Sequence, residues 1–245
     1  MEGSRHFDAH AHMSWYADAA AAMDECAAMG LAGICCTVDS ADYDRCLQRP
    51  EGDPWVIAAG LHPWWADKAD LEPAVEAARN SRLIGEIGLD LGKKHLDTAA
   101  SQLKAFRAMC EAAPDGAVLS IHSVSAADKV LDVLTETGAL TRCRCVFHWF
   151  SGTSNELCRA VAAGCWFSVG ERSLATRKGR EYARQFPQKR ILTETDLPEA
   201  PGTPIDTAVH LASIERAVEG IAAARKLGQE EARAMLLENA LSLVC

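Results

Sequence analysis

The chain has 245 residues, 49% of them hydrophobic and 24% charged, with a formal net charge of −9. That length and balance support one sizeable α/β core and exclude a disordered chain. The acidic charge argues against a protein that wraps long duplex nucleic acid through a basic face.

Apolar, β-branched-rich runs read as strands at 31–38, 55–60, 83–89, 117–122, 143–149, 165–169 and 190–195. A weaker first strand is placed at His6–His10. The runs are almost continuously hydrophobic, as strands covered on both faces are. Helices are predicted between them. Residues 16–29 are alanine-rich and stop at Gly30; 99–113 end before Pro114. Residues 125–137 start at Ser125 as N-cap and stop at Gly138, and 153–163 start at Thr153 or Ser154 and stop at Gly164. A helical tail covers 206–226 and 229–243, starting at Asp206 and Gln229. Strand–helix alternation with a spacing of about 30 residues predicts one (β/α)8 TIM-type barrel, a single domain over 1–245. An open doubly wound sheet is the runner-up. It calls for a glycine-rich turn after the first strand, where this chain has His10-Ala11-His12.

Ten cysteines are present, at 26, 35, 36, 46, 110, 143, 145, 158, 165 and 245, with no C-x-x-C pair. Several fall inside strand runs, where free cysteine acts as a small buried hydrophobe. A thiolate metal site at Cys143 and Cys145 lacks further ligands at a suitable spacing. No run reaches the ~18 apolar residues of a membrane-spanning helix, and no signal segment opens the chain. The expectation is a soluble, cytoplasmic protein with reduced thiols, no membrane association and no obligate protein partner.

Metal-ligand chemistry recurs at the strand ends. His10 and His12 share one face of an extended strand, because residues i and i+2 point the same way. Glu86 stands alone in an apolar run, and a buried carboxylate is costly unless it is paired or binds a metal. His122 and His148 each close an apolar run, and Asp196 follows Ile191–Thr195. Singly, each has an ordinary structural reading: a satisfied core histidine, a buried salt bridge, a turn residue. Together, nitrogen and oxygen donors at the ends of successive strands suit one or two divalent ions, zinc, magnesium or manganese. A two-ion arrangement would use His10, His12 and Asp196 on one ion, His122 and His148 on the other, and Glu86 as the bridge. Asp196 and Glu86 are the candidate catalytic residues, Asp196 taking the proton from an attacking water.

These residues resemble the TatD-type metal-dependent deoxyribonucleases of the amidohydrolase-like barrel superfamily. The matching segments are Phe7–His12, Ala59–Pro63, Ile84–Asp90, Ile121–Ser123, Phe147–Gly152 and Leu192–Pro198, with Glu238-Asn239-Ala240 near the end. The resemblance implies a TIM-type barrel with the ligands above and hydrolysis of DNA phosphodiesters, often from the 3′ end of single strands. It also implies that His62 contacts or orients the substrate phosphate. The alternative is a metal-dependent hydrolase of a small phosphodiester, amide or lactone.

Three segments depart from the family pattern. Leu91-Gly92-Lys93-Lys94-His95 replaces an aromatic stretch, and Lys93 and Lys94 are candidate phosphate contacts. Trp149 replaces a small residue and can narrow the mouth or stack on a base. Residues 197–215 contain no lysine or arginine, where the family carries a basic loop. Trp64 and Trp65 are a candidate stacking platform. Arg172, Arg177, Lys178 and Arg180 form the remaining basic cluster.

Overall fold

The structure is a computed structural model that describes residues 4–47, 49 and 52–244. Among these, eight strands alternate with helices in chain order: β1 His6–Ala11, α1 Ala19–Ala28, β2 Leu31–Cys36, α2 Ser40–Cys46, β3 Trp55–Ala58, α3 Leu71–Arg79, β4 Leu83–Asp90, α4 Ala99–Ala112, β5 Val118–Val124, α5 Ala127–Glu136, α6 Ala139–Arg142, β6 Arg144–His148, α7 Ser154–Ala162, β7 Trp166–Val169, α8 Glu171–Leu174, α9 Arg177–Gln185, β8 Ile191–Thr193, α10 Thr207–Arg225 and α11 Gln229–Val244. This is the alternation predicted for a TIM-type α/β fold. Residues group into two compact units, one running through Cys35, Cys46–Val56 and from Phe167 onward, the other Cys36–Arg45 and Ile57–Trp166.

In the first unit β1 pairs with β2 and β7 with β8, both in parallel. β8 lies beside β1. The Thr193 hydroxyl donates to the Phe7 carbonyl at 2.6 Å and the Asp196 amide donates to the His10 carbonyl at 2.9 Å. α10 packs against α9 and α11, and buries Ile214, Val218 and Ile221. In the second unit β4, β5 and β6 pair in parallel, and Ala59 bridges to Ile84. All eight residues of β4 are buried, as a strand with both faces covered should be. Phe106, Met109, Leu119, Ile121 and Phe147 complete this unit's core.

Two glycines permit close approach near the chemistry. A Cβ on Gly60 would lie 1.8 Å from the Thr37 carbonyl oxygen, and one on Gly88, at φ +143°, would lie 2.1 Å from that of His122.

The helix boundaries differ from the sequence expectation in instructive places. Residues 13–15 form a separate 3-10 turn, and α1 starts only after Asp18, whose side chain accepts the Ala21 amide. Ser125 is not an N-cap. It sits at φ +52°, and α5 begins at Ala127 behind an Ala126 N-cap with no side-chain bond. Thr153 and Glu156 form the capping box of α7. α2, α3, α6, α8 and α9 lay outside the predicted helices. α9 reads RKGREYARQ, too polar and glycine-interrupted to stand out by apolar content.

Nine described cysteines are free; Cys245 lies outside the described residues. Burial pushes the Cys26 thiol up to about 12 and raises those of Cys110 and Cys145, consistent with apolar packing. Among the described residues no helix is long and apolar enough to cross a membrane.

Candidate functional site

In the second unit, three histidines singled out from the sequence converge on one oxygen of Glu86, the buried carboxylate also singled out there. Glu86 is 1% exposed, and its Oε1 lies 2.6 Å from His122 Nδ1, 2.9 Å from His148 Nε2 and 3.3 Å from His62 Nε2. Strand geometry places them. Glu86 lies in β4, His122 in β5 next to it, and His148 is the last residue of β6. The Glu86 amide donates to the Thr37 carbonyl at 2.9 Å, which fixes its backbone.

His62 arrives from a turn. Pro63 opens a 3-10 turn, and the His62 Nδ1 accepts the Trp64 amide at 3.1 Å. With Nδ1 accepting, a neutral ring carries its proton on Nε2, facing Glu86. His62 is thereby held against Glu86, with Nε2 as its donor.

Asp90 ends β4 and backs His122. Its Oδ2 accepts the Trp64 indole N–H at 2.7 Å and lies 3.6 Å from His122 Nε2, while Oδ1 accepts the Gly92 amide at 2.9 Å. Burial alone would raise the Asp90 pKa. The hydrogen-bonding groups of His122, Trp64 and Gly92 outweigh it and hold the carboxyl well below the usual carboxylate range. For His122, burial lowers the pKa, but the carboxylates of Glu86, at hydrogen-bond distance, and of Asp90, 3.6 Å away, raise it on balance. A carboxylate on the far nitrogen of an imidazole ligand is the usual way to fix its ring and tautomer. Asp90 stood inside a quoted motif without a role; an acidic residue closing an apolar strand was the available signal.

The donor set fits a divalent ion. Nitrogen and oxygen atoms of His62, Glu86 and His122 lie within 4.8 Å of one another and all three residues are buried. With its proton on Nε2, His62 serves as a donor there, and the lone pairs open to an ion are those of Glu86, His122 and the nearby His148. Imidazole and carboxylate donors without thiolate match zinc or manganese chemistry.

The first unit assembles the other expected ligands. Asp196 lies three residues past β8, at φ +60°. Its Oδ1 is 3.4 Å from His12 Nε2 and 3.9 Å from His10 Nε2, and its Oδ2 accepts from Arg172 Nη2 at 2.8 Å. Arg172, on α8, also pairs with Glu199. The neighbouring cations serve other ends: Arg180 donates to the Leu174 and Ala175 carbonyls, and Lys178 lies over the Tyr182 ring.

Asp8 organises this cluster from behind. It is fully buried. Its Oδ1 accepts the His10 amide at 3.0 Å and the Thr195 amide at 3.1 Å. Its Oδ2 accepts the Thr195 hydroxyl at 2.6 Å and lies 2.7 Å from Nε2 of the equally buried His210. One carboxylate thereby ties the end of β1 to the segment after β8, so the His10 and Asp196 backbones are held together. His210 was not anticipated, since nothing in the composition of α10 distinguishes it.

The remaining expected residues lie at the edges. Lys93 and Lys94 are exposed on the turn after β4. Trp149 follows β6, half-buried at φ +40°, a conformation costly for a bulky residue.

Comparison with known proteins identifies the family. A protein-family model described as TatD related DNase matches residues 7–244. The 3'-5' ssDNA/RNA exonuclease TatD of Erwinia billingiae is 31% identical over 182 residues, covering 69% of this chain and 69% of that protein. A putative deoxyribonuclease TATDN1 homolog of Encephalitozoon cuniculi is 26% identical over 156 residues, 62% of this chain but only 55% of its own length. A solved TatD homolog from Escherichia coli K12 shares the fold at a TM-score of 0.74, with 24% identity over 98% of this chain and 97% of that one.

Proposed function

Because the chain belongs to the TatD-related DNase family, we propose that it is a divalent-metal-dependent phosphodiesterase that trims single-stranded DNA from the 3′ end. The observation that carries this reading is Glu86: a carboxylate 1% exposed, with three imidazole nitrogens within 3.3 Å. The name of the Erwinia billingiae relative supplies the substrate class and polarity. We assign ligand roles to His10, His12, Glu86, His122, His148 and Asp196, for one or two ions of zinc, magnesium or manganese, in a single cytoplasmic domain.

A bound divalent ion would supply Lewis-acid polarisation of the phosphoryl oxygen and a water acidic enough to react near neutral pH. The chain's own residues do the rest. Asp196 accepts the proton of the attacking water. Arg172 holds Oδ2 and leaves Oδ1, on the histidine side, as the accepting oxygen. His62 directs its Nε2 proton toward the substrate phosphate once that group displaces Glu86 as its acceptor. Lys93, Lys94 and Trp149 contact the strand.

Hydrolysis of a small phosphodiester, amide or lactone is a second reading, favoured by the absence of lysine and arginine from 197–215. A metal-by-substrate screen separates the two. 5′-Labelled single-stranded DNA, single-stranded RNA and a small phosphodiester are each offered with Mg²⁺, Mn²⁺ or Zn²⁺. Progressive shortening of the DNA is expected. DNA left intact with every metal while the small ester is cleaved would establish the second reading.

A further inference from the structure

Trp64 differs from the other large aromatics near the chemistry. Trp55 is 1% exposed and belongs to the core; Trp64 is 41% exposed, yet it is rigidly held. Its indole N–H is fixed on Asp90 at 2.7 Å and its backbone N–H on His62 Nδ1 at 3.1 Å. Its ring runs nearly parallel to two others. His95 stacks at 4.8 Å and 14°, and Trp65 lies at 6.1 Å and 22°. The same indole is 4.8 Å from the His62 ring and 6.2 Å from the His122 ring. Core packing alone gives no reason to hold a large apolar ring at the surface by two hydrogen bonds.

An exposed indole, tethered by hydrogen bonds and flanked by parallel half-buried rings beside lysines, offers what unpaired bases require: a π-face for stacking and positive charge for the backbone. Lys93 and Lys94, both exposed, immediately precede His95. Pre-organisation matters here, because a ring already fixed loses little freedom when a base settles on it.

We propose that the Trp64–His95 stack is a nucleobase subsite, seating an unpaired base of single-stranded nucleic acid beside the Glu86 cluster. This rests on the phosphodiesterase reading and deepens it. Stacking tolerates any base, so the subsite confers preference for single strands over duplex rather than for a sequence.

The test measures binding by fluorescence anisotropy with the 245-residue chain and added Mn²⁺. Two labelled probes are used, a phosphorothioate-linked oligothymidylate that resists cleavage and the same backbone with abasic residues. The wild-type protein should prefer the base-bearing probe by about 5- to 150-fold for one stacked base. Trp64→Ala should abolish that preference, weakening the base-bearing probe far more than the abasic one. Trp64→Phe, which keeps a π-face but loses the bond to Asp90, should retain part of it, and His95→Ala should weaken it. Thermal melts check each variant's fold. If Trp64→Ala fails to fold, the Phe and His95 variants decide, and equal weakening of both probes overturns the proposal. So does a preference that is absent from the wild type or survives Trp64→Ala. Cleavage of unmodified DNA is scored separately. A base preference that depends on Trp64 in a protein that cleaves no DNA would keep the subsite and reject the nuclease.

Discussion

Glu86 and Asp196 are held in opposite ways. Glu86 lies within a fully buried strand, and His62, His122 and His148 surround one of its oxygens. Asp196 lies beyond its strand in a left-handed conformation, one-fifth exposed, with a guanidinium on one oxygen and two imidazoles facing the other. A carboxylate walled in by imidazoles is placed to fix an ion. One that is partly open and shares its charge with an arginine is placed to exchange partners and move a proton. On the function proposed above, Glu86 mainly holds an ion, and Asp196, a ligand as well, is the acid open enough to take up a proton.

Separating metal binding from turnover is the most direct way to break that division. Glu86→Ala is expected to lower turnover by ~10³-fold or more, the scale of several kcal/mol of metal-derived stabilisation. It should also lower the metal retained after dialysis. Asp196→Ala should cost a comparable factor in turnover but retain metal at the Glu86 cluster. Equal loss of metal in both variants would mean that the two acids share one role.

A smaller effect sharpens the same contrast. Asp90→Asn removes the charge behind His122 Nε2 while leaving a group that can still accept the Trp64 indole. Loss of a carboxylate behind an imidazole ligand costs about 10- to 100-fold in metal affinity. Competition against a chelator should show this weakening, with any fall in turnover recovered at high metal. A Glu86-like loss, not recovered by metal, would place Asp90 among the ligands.

The Glu86 cluster was largely legible in the sequence, whereas around Asp196 the histidines were legible and the arginine and the buried support were not. A single acid in an apolar strand has few physical options, and histidines closing later strands supply the partners. His10 and His12 were readable because strand periodicity fixes their common face. Asp196 itself was readable from its place after β8, but Arg172 entered only as one member of a basic cluster. Which cation turns inward is decided by the short helix α8, a four-residue element with no periodicity to read. His210 was invisible for a related reason: a histidine in an alanine-rich helix becomes functional support only through the tertiary contact with Asp8. Ser125 shows the converse, a good capping residue whose backbone is held left-handed instead of capping α5.

His210→Ala tests that hidden support. The substitution removes one of the partners of a fully buried carboxylate and leaves a cavity, at a cost of about 2–3 kcal/mol. For a chain of this length that is a Tm decrease of roughly 4–12 °C by calorimetry. Because Asp8 ties β1 to the segment after β8, the variant should lose turnover while keeping the metal held by the Glu86 cluster. Unchanged turnover in the folded variant would confine Asp8 and His210 to stability.

The smallest expected effect lies away from both acids and concerns pH. In the first unit Arg233 makes paired bonds to Glu215 at 3.1 and 2.9 Å, and His6 Nε2 lies 3.0 Å from the Glu215 carboxylate. Burial lowers the His6 pKa, and Arg233 and Arg5 add to that shift; Glu215 opposes it without reversing it. The Glu215 pKa is lowered as well: burial would raise it, but Arg233 and His6 outweigh burial. A histidine whose folded pKa lies below its unfolded value binds its proton more readily in the unfolded chain. Stability is therefore lost as pH falls from about 6.5 through the folded pKa of His6. Glu215 adds its own loss below about 4.5, as the unfolded carboxylate takes up a proton first. His6→Gln should flatten the Tm profile between about pH 7 and pH 5 and leave the decline at lower pH in place. If His6→Gln also flattens the pH–activity profile over the same interval, the acid limb of activity reports unfolding of this cluster rather than a change at the candidate site. A profile unchanged by the substitution places the origin of that limb outside the His6–Glu215–Arg233 cluster.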